Sequence, residues 1–144
     1  RLLTLLAAAT ERPTDNGRKA IVAGVAGDPH DMGVRLLADF LDVARWTSIC
    51  LGGDVPSGEI ARAAARYDAD LLALSATLGR HVDRVSDTIV ASRALAGGKL
   101  KILGGGRAFA EAPDLWRSIG ADGYGRSATE AVTVAAELCG LDAG

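Results

Sequence analysis

The stretch Asp28-Pro29-His30-Asp31-Met32-Gly33 sets an imidazole between two carboxylates, and His30 is one of only two histidines in the chain. A histidine in a turn can present one ring nitrogen outward while a carboxylate binds the other. Asp28, two residues earlier, is suitably placed to fix the tautomer and make the outward nitrogen a better metal donor. No second or third ligand stands at metal-site spacing. A metal at His30 must therefore bring most of its own coordination, as a macrocycle does. Gly33 keeps the next helix slim where something large approaches. Further on, Ser75 and Thr77 offer hydroxyls, and Gly104, Gly105 and Gly106 remove side chains where a planar or elongated ligand would lie against backbone. Gly79 fits the same purpose.

These residues need a scaffold, and the hydrophobic pattern supplies one. Residues 19–27 are apolar on both faces, as in an inner strand of a parallel sheet. Leu36, Leu37, Phe40, Leu41 and Ala44 follow at helical spacing. Strands are expected at 47–53, 69–76, 100–106 and 122–125. Ser57 is placed to cap a helix carrying Ile60, Ala63, Ala64 and Tyr67. A helix over 82–95 ends at Gly97-Gly98, and Pro113 fits the first turn of a short helix at 112–119. Ser127 and Glu130 form a capping box for a last helix that Gly140 ends. Strands alternating with helices indicate an α/β, doubly wound, flavodoxin- or Rossmann-like sheet of five parallel strands with strand 1 between 2 and 3. Ligands in such folds bind outside the carboxyl ends of the strands, and every unusual residue named above falls on that rim.

The chain has 144 residues, 49% hydrophobic and 24% charged, which suits one domain with a buried core. A net charge of −2 gives no basic surface for nucleic acid, and no apolar run is long enough to span a bilayer. Cys50 and Cys139 belong to no CxxC pair and read as small apolar residues in a reducing cytoplasm. Residues 1–18 are expected to be the remnant of a preceding helix and a linker, and 19–144 the domain itself. Other rim residues have plainer readings. His81 is expected at an exposed helix start, and Arg80, Arg107 and Arg126 are expected to be solvated. Trp46, Trp116 and Tyr67 suit helix–sheet packing. GGGRAF alone fits a phosphate loop or a tight turn equally, though it lacks a Walker lysine and serine.

Asp28-x-His30-x-x-Gly33, then Ser75 and Thr77, then the glycines at 104–106, in that order, resemble the cobalamin-binding domain family over residues 19–140. The resemblance implies a cofactor, adenosyl- or methylcobalamin, held base-off with His30 as lower axial cobalt ligand and Asp28 hydrogen-bonded to it. It implies a slot between strands 1 and 3 for the displaced nucleotide tail, lined by Gly33, Ser75, Thr77, Gly104 to Gly106 and Ala128. Asp31, Met32, Leu78, Gly79 and Tyr124 are expected as neighbours of the corrin or tail. Methyl-carrier members commonly have Lys-Asn after the motif glycine, where Val34-Arg35 stands here. The SATL and GGRAF runs are similar to those of sensor and regulator members. The expectation is a sensory or regulatory module, with light among the signals it could read. Such a module would have no catalytic activity of its own and would be partnered by a helical cap or output domain. A corrinoid methyl carrier or enzyme domain is the alternative, and a receiver- or flavin-like module without corrinoid is the other. A receiver would want an aspartate where Ser75-Ala76-Thr77 stands.

Overall fold

The structure, a computed structural model, describes residues 15–141. The expected helix remnant at the start lies outside them, apart from the end of the linker. In chain order the elements are β1 (Lys19–Val25), α1 (Met32–Val43), β2 (Thr47–Val55), α2 (Ser57–Arg66), β3 (Leu71–Ser75), a one-turn 3-10 helix (Gly79–His81), α3 (Val82–Ala96), β4 (Lys101–Gly105), α4 (Arg107–Ala110), α5 (Leu115–Ser118), β5 (Gly123–Gly125) and α6 (Ala128–Leu138). The strands make one sheet in the order β2-β1-β3-β4-β5, with every neighbouring pair parallel. The chain leaves β1 for one side of the sheet and returns to the other at β3. The carboxyl ends of β1 and β3 thus frame the switch point where such folds bind ligands.

Two apolar layers hold the helices to the sheet. Val22, Ala73 and Leu103 meet Val34, Ala38 and Leu41 of α1 and Ala131 and Ala135 of α6 on one face. Ile21, Leu72 and Ile102 meet Ile60 and Ala64 of α2 and Val85 and Ile89 of α3 on the other. β1 is buried on both faces from Ala20 to Val25, which is why its sequence shows no alternation.

Local differences from expectation have local causes. α1 seats Val34, Ala38 and Leu41 on the sheet, and Leu36 is left 48% exposed. Leu36 and Leu37 border a cavity instead. Ser57 is the first residue of α2, and extended Pro56 is its cap, with no side-chain hydrogen bond. Tyr67 closes α2 and is exposed, whereas Trp46 is buried. The helix expected at 112–119 is shortened to Leu115–Ser118, and Pro113 stands outside it, before the cap Asp114. The Ser127 hydroxyl does accept from the Glu130 amide, at 3.2 Å. Glu130 closes back on the amide of Arg126, also at 3.2 Å, one residue earlier than a capping box requires.

Candidate functional site

Beyond β1 the chain folds back over the carboxyl end of the sheet and buries Asp28 completely. Asp28 Oδ1 accepts from the His30 amide at 3.1 Å and lies 2.8 Å from His30 Nδ1. Oδ2 accepts from the Thr77 amide at 2.7 Å. A carboxylate removed from water requires such donors. Burial pushes its pKa up, but the hydrogen bonds from His30 and Thr77 outweigh burial and hold it below the usual carboxylate value. An ionised Asp28 only accepts, so Nδ1 of His30 carries a proton, and in the neutral ring the lone pair is on Nε2. The His30 side chain is 66% exposed. The result is one outward nitrogen donor with a fixed tautomer. Among the described residues, no group of three or more His, Cys, Asp or Glu could hold a metal ion. Any metal at His30 would take its remaining ligands from elsewhere.

The loop bearing this pair rests on β2. The β1–β2 register shifts twice, between Val22 and Ala23 and between Ala23 and Val25, and Gly53 comes to lie under the loop. A Cβ at Gly53 would stand 3.0 Å from the Pro29 carbonyl oxygen and 3.1 Å from that of Asp28. Asp54, in the left-handed region at φ 53°, donates its amide to the Asp28 carbonyl at 2.7 Å. Its side chain accepts from the Gly27 amide at 2.8 Å. The strand expected from sequence stops at residue 53, one short of this support. Gly-Gly-Asp at the carboxyl end of the strand beside the motif was the available signal.

His81 corrects another expectation. It is only 5% exposed. The 3-10 turn tucks its third residue inward, and His81 Nδ1 accepts from the Leu78 amide at 3.3 Å. The same atom lies 3.6 Å from Asp28 Oδ2.

A cavity of about 230 Å³ opens above β1, β3 and β4, between α1 and α6. Val22, Ala73 and Leu103 from the strands, Leu36 and Leu37 from α1, and Ala128 from α6 give it apolar walls. Gly33, Ser75 and Gly104 to Gly106 also border it. The three glycines serve different ends. A Cβ at Gly104 would point away from the cavity, 3.3 Å from the Phe109 ring. One at Gly105 would meet only the Gly125 carbonyl oxygen, at 3.6 Å, so the missing side chain keeps the cavity open. Gly106 has φ +99°, and a Cβ there would collide with the Ala76 carbonyl. At Gly33 a Cβ would meet nothing within 4 Å.

The structure thus divides the expected residues. Asp28, His30 and Thr77 form a clamp, with Thr77 joining through its amide and lying outside the cavity lining. Met32 and Leu78 stand on the rim, 84% and 40% exposed. Asp31 pairs with Arg35 Nε at 3.0 Å. Gly79 begins the 3-10 turn in open space. Tyr124 belongs to neither group. Its ring packs on Phe109, centroids 6.1 Å apart, on the face covered by α2 and α3. Strand alternation separates it from the cavity, which lies on the opposite face.

Comparison with known proteins identifies the family. The family profile of the B12 binding domain matches residues 18–133. The chain is 34% identical over 116 residues to dimethylamine corrinoid protein 3 of Methanosarcina mazei, covering 79% of this chain and 68% of that protein. It spans about half the length of other dimethylamine corrinoid proteins it matches, at 53% for one from Methanosarcina acetivorans. Among solved structures, a cobalamin-binding protein from Desulfitobacterium hafniense shares the fold, with TM-score 0.79, 24% identity, and 85% of this chain and 60% of that chain covered. The monomethylamine corrinoid protein of Methanosarcina barkeri gives TM-score 0.75 at 28% identity, covering 83% and 57%. The chain belongs to the B12-binding domain family, and its cofactor is cobalamin.

Proposed function

We propose that this chain is the corrinoid-carrying domain of a methyl-transfer protein, holding cobalamin base-off with His30 as the lower axial ligand and the nucleotide tail in the cavity beside α1. The observation that carries the ligation is the buried Asp28 carboxylate 2.8 Å from Nδ1 of an exposed histidine. The pair stands next to an open apolar cavity, and Met32, Leu36 and Leu78 leave apolar surface around it uncovered. A large, partly apolar ligand fits these features, and a free metal ion does not. A bound corrinoid would supply methyl-transfer chemistry at this site. The chain's own part is to bind and orient. His30 Nε2 supplies the donor, Asp28 holds the ring and its proton, and Gly105 and Gly33 leave room for the tail.

The carrier reading is favoured over the regulator expected from Val34-Arg35 and the SATL and GGRAF runs, because the matched relatives are methylamine corrinoid proteins. Carrier function implies a methyltransferase partner that approaches the exposed face of the bound corrin. Spectra of protein loaded with hydroxocobalamin test the ligation: wild type reads as histidine-ligated, and His30→Ala reads as base-off. Protein loaded with methylcobalamin tests the carrier, by its demethylation when a corrinoid methyltransferase and acceptor thiol are added. A change of oligomeric state on illuminating the adenosylcobalamin form would return the reading to a regulator.

A further inference from the structure

Helix α1 is apolar on two opposite faces. Val34, Ala38 and Leu41 seat it on the sheet. Met32, Leu36, Phe40 and Val43 gather on the other side, within about 80° of one another at about 100° per residue. Met32 is 84%, Leu36 48% and Val43 64% exposed, although Leu36 also borders the cavity. Phe40 is half-buried and belongs to neither apolar layer of the core. A surface helix turns a polar face to water, and one that is apolar all round is covered. The other exposed large apolar side chains make no such row. Val90 and Leu95 of α3 are five positions apart, about 140° round the helix, and Tyr67 and Leu78 stand on separate segments.

The charges beside the row indicate what covers it. Along one flank, Arg35 stands in the first half of α1, and Asp39 and Asp42 stand in the second. A second α1 laid parallel would set Arg35 against Arg35 and acid against acid. Laid antiparallel about a two-fold axis, it brings Arg35 of each copy to the acidic half of the other. The same arrangement sets Met32 of one copy against Val43 of the other, and Leu36 against Phe40, with each contact made twice. The row is thus complementary to itself in both shape of pattern and charge. A twelve-residue helix is about 18 Å long, and one such pair buries less than the roughly 1,200 Å² of a stable interface, so the dimer is a weak one. Because α1 starts two residues after His30, antiparallel copies carry their His30 sites at opposite ends of the pair.

We propose that the outward face of α1 is a dimerisation surface on which a second copy of this chain docks antiparallel, through Met32, Leu36, Phe40 and Val43. The inference rests on α1 alone and holds whether or not His30 ligates cobalt.

Sedimentation equilibrium of the whole chain from about 5 to 500 μM tests it, and monomer is expected to give way to dimer with a Kd of about 50 μM. Val43→Lys and Met32→Glu each put a charge into the row. Each charge suits the helix dipole at its own end of α1, so both proteins should fold, as circular dichroism and urea unfolding check. Each variant alone is expected to raise Kd about tenfold or more. Mixed in equal amounts, the two are expected to recover the wild-type Kd within about threefold, because the new lysine of one copy faces the new glutamate of the other. Val90→Lys, on α3, is expected to leave the dimer unchanged. A chain still monomeric at the highest concentration overturns the proposal and leaves the row to another occupant. A dimer indifferent to both single variants, or a mixture no tighter than its parts, overturns it too. Open-ended oligomers in place of a dimer do the same, since a two-fold contact closes.

Discussion

Placing a valine at Gly105 separates ligand space from packing space. A Cβ there meets one atom within 4 Å, the Gly125 carbonyl oxygen at 3.6 Å, which is ordinary contact. The branched carbons extend into a cavity of about 230 Å³. Stability should therefore stay within about 1 kcal/mol of wild type, since a strand glycine gains β-propensity and loses unfolded-state freedom when replaced. Binding should suffer. If the valine displaces two or three carbon groups of the nucleotide base, at about 0.8 kcal/mol for each buried group, the loss is about 2 kcal/mol, or about thirtyfold in Kd. Gly104→Ala is the opposite case: its Cβ would lie 3.3 Å from the Phe109 ring, on the far face of the sheet. It should cost about 1–3 kcal/mol of stability by overpacking and leave the affinity of the folded protein unchanged. The assay is a spectroscopic titration of each protein with hydroxocobalamin and with cobinamide, a corrinoid lacking the nucleotide tail, alongside urea unfolding. Gly105→Val should weaken cobalamin and spare cobinamide. Equal weakening of both ligands, or of neither, would refute the placement of the tail.

Two further outcomes follow from the clamp and its supports, and a third from a thiol outside it. Asp28→Asn presents an amide donor to the donors of His30 or Thr77 and should lower stability at neutral pH by about 1–3 kcal/mol, measured by urea unfolding. Because the folded pKa of Asp28 is depressed, its contribution is fully present above the unfolded value near 3.8 and is lost as pH falls through the lower folded value. The difference between wild type and Asp28→Asn should thus shrink in the most acidic range, and a constant difference down to pH 2 would show that Asp28 is not the titrating group. Gly53→Ala should push the Pro29 and Asp28 carbonyls away and reduce the histidine-ligated fraction in the cobalamin spectrum, because backbone at 3.0–3.1 Å cannot yield as a flexible side chain would. Burial, and then the charge of Asp70, push the Cys139 thiol up. At pH 8 it should be alkylated much more slowly in folded than in urea-unfolded protein, read by mass spectrometry.

The scaffold was legible because its determinants are local or periodic. Two-faced apolar runs marked the inner strands, and the Ser127 cap and the glycines at 97 and 140 marked helix ends. His30 and Asp28 were legible because they are two residues apart in one turn. Their supports were not, because they come from other loops and act through backbone. Thr77 looked like a hydroxyl donor and contributes its amide. Asp54, one residue beyond the expected strand, carried no signal of its own and holds Gly27 and Asp28 at once. His81 looked like a solvated helix start, since composition cannot show that a 3-10 turn points its third side chain inward. Gly104 and Gly105 are adjacent and identical, and only the alternation of β4 assigns one to Phe109 and the other to the cavity.

The topology explains why these distant residues meet. In a parallel sheet ordered β2-β1-β3, the carboxyl ends of three strands lie side by side, so residues 28, 54 and 77 converge although 49 positions separate the first from the last. Each strand end gives one constraint on the Asp28 loop: β2 fixes its backbone through Asp54, β3 fixes the carboxylate through Thr77, and β1 supplies the loop. A single exposed imidazole has free rotation about two side-chain bonds and would make a poor lone ligand. Burying one ionised carboxylate behind it restrains that freedom and places a proton on Nδ1, and the amides of His30 and Thr77, two backbone donors that cannot swing away, satisfy the carboxylate beside the imidazole. If His30 is the ligand as proposed, three loops hold it, and disturbing any of them should appear first in the ligation spectrum and only then in the fold.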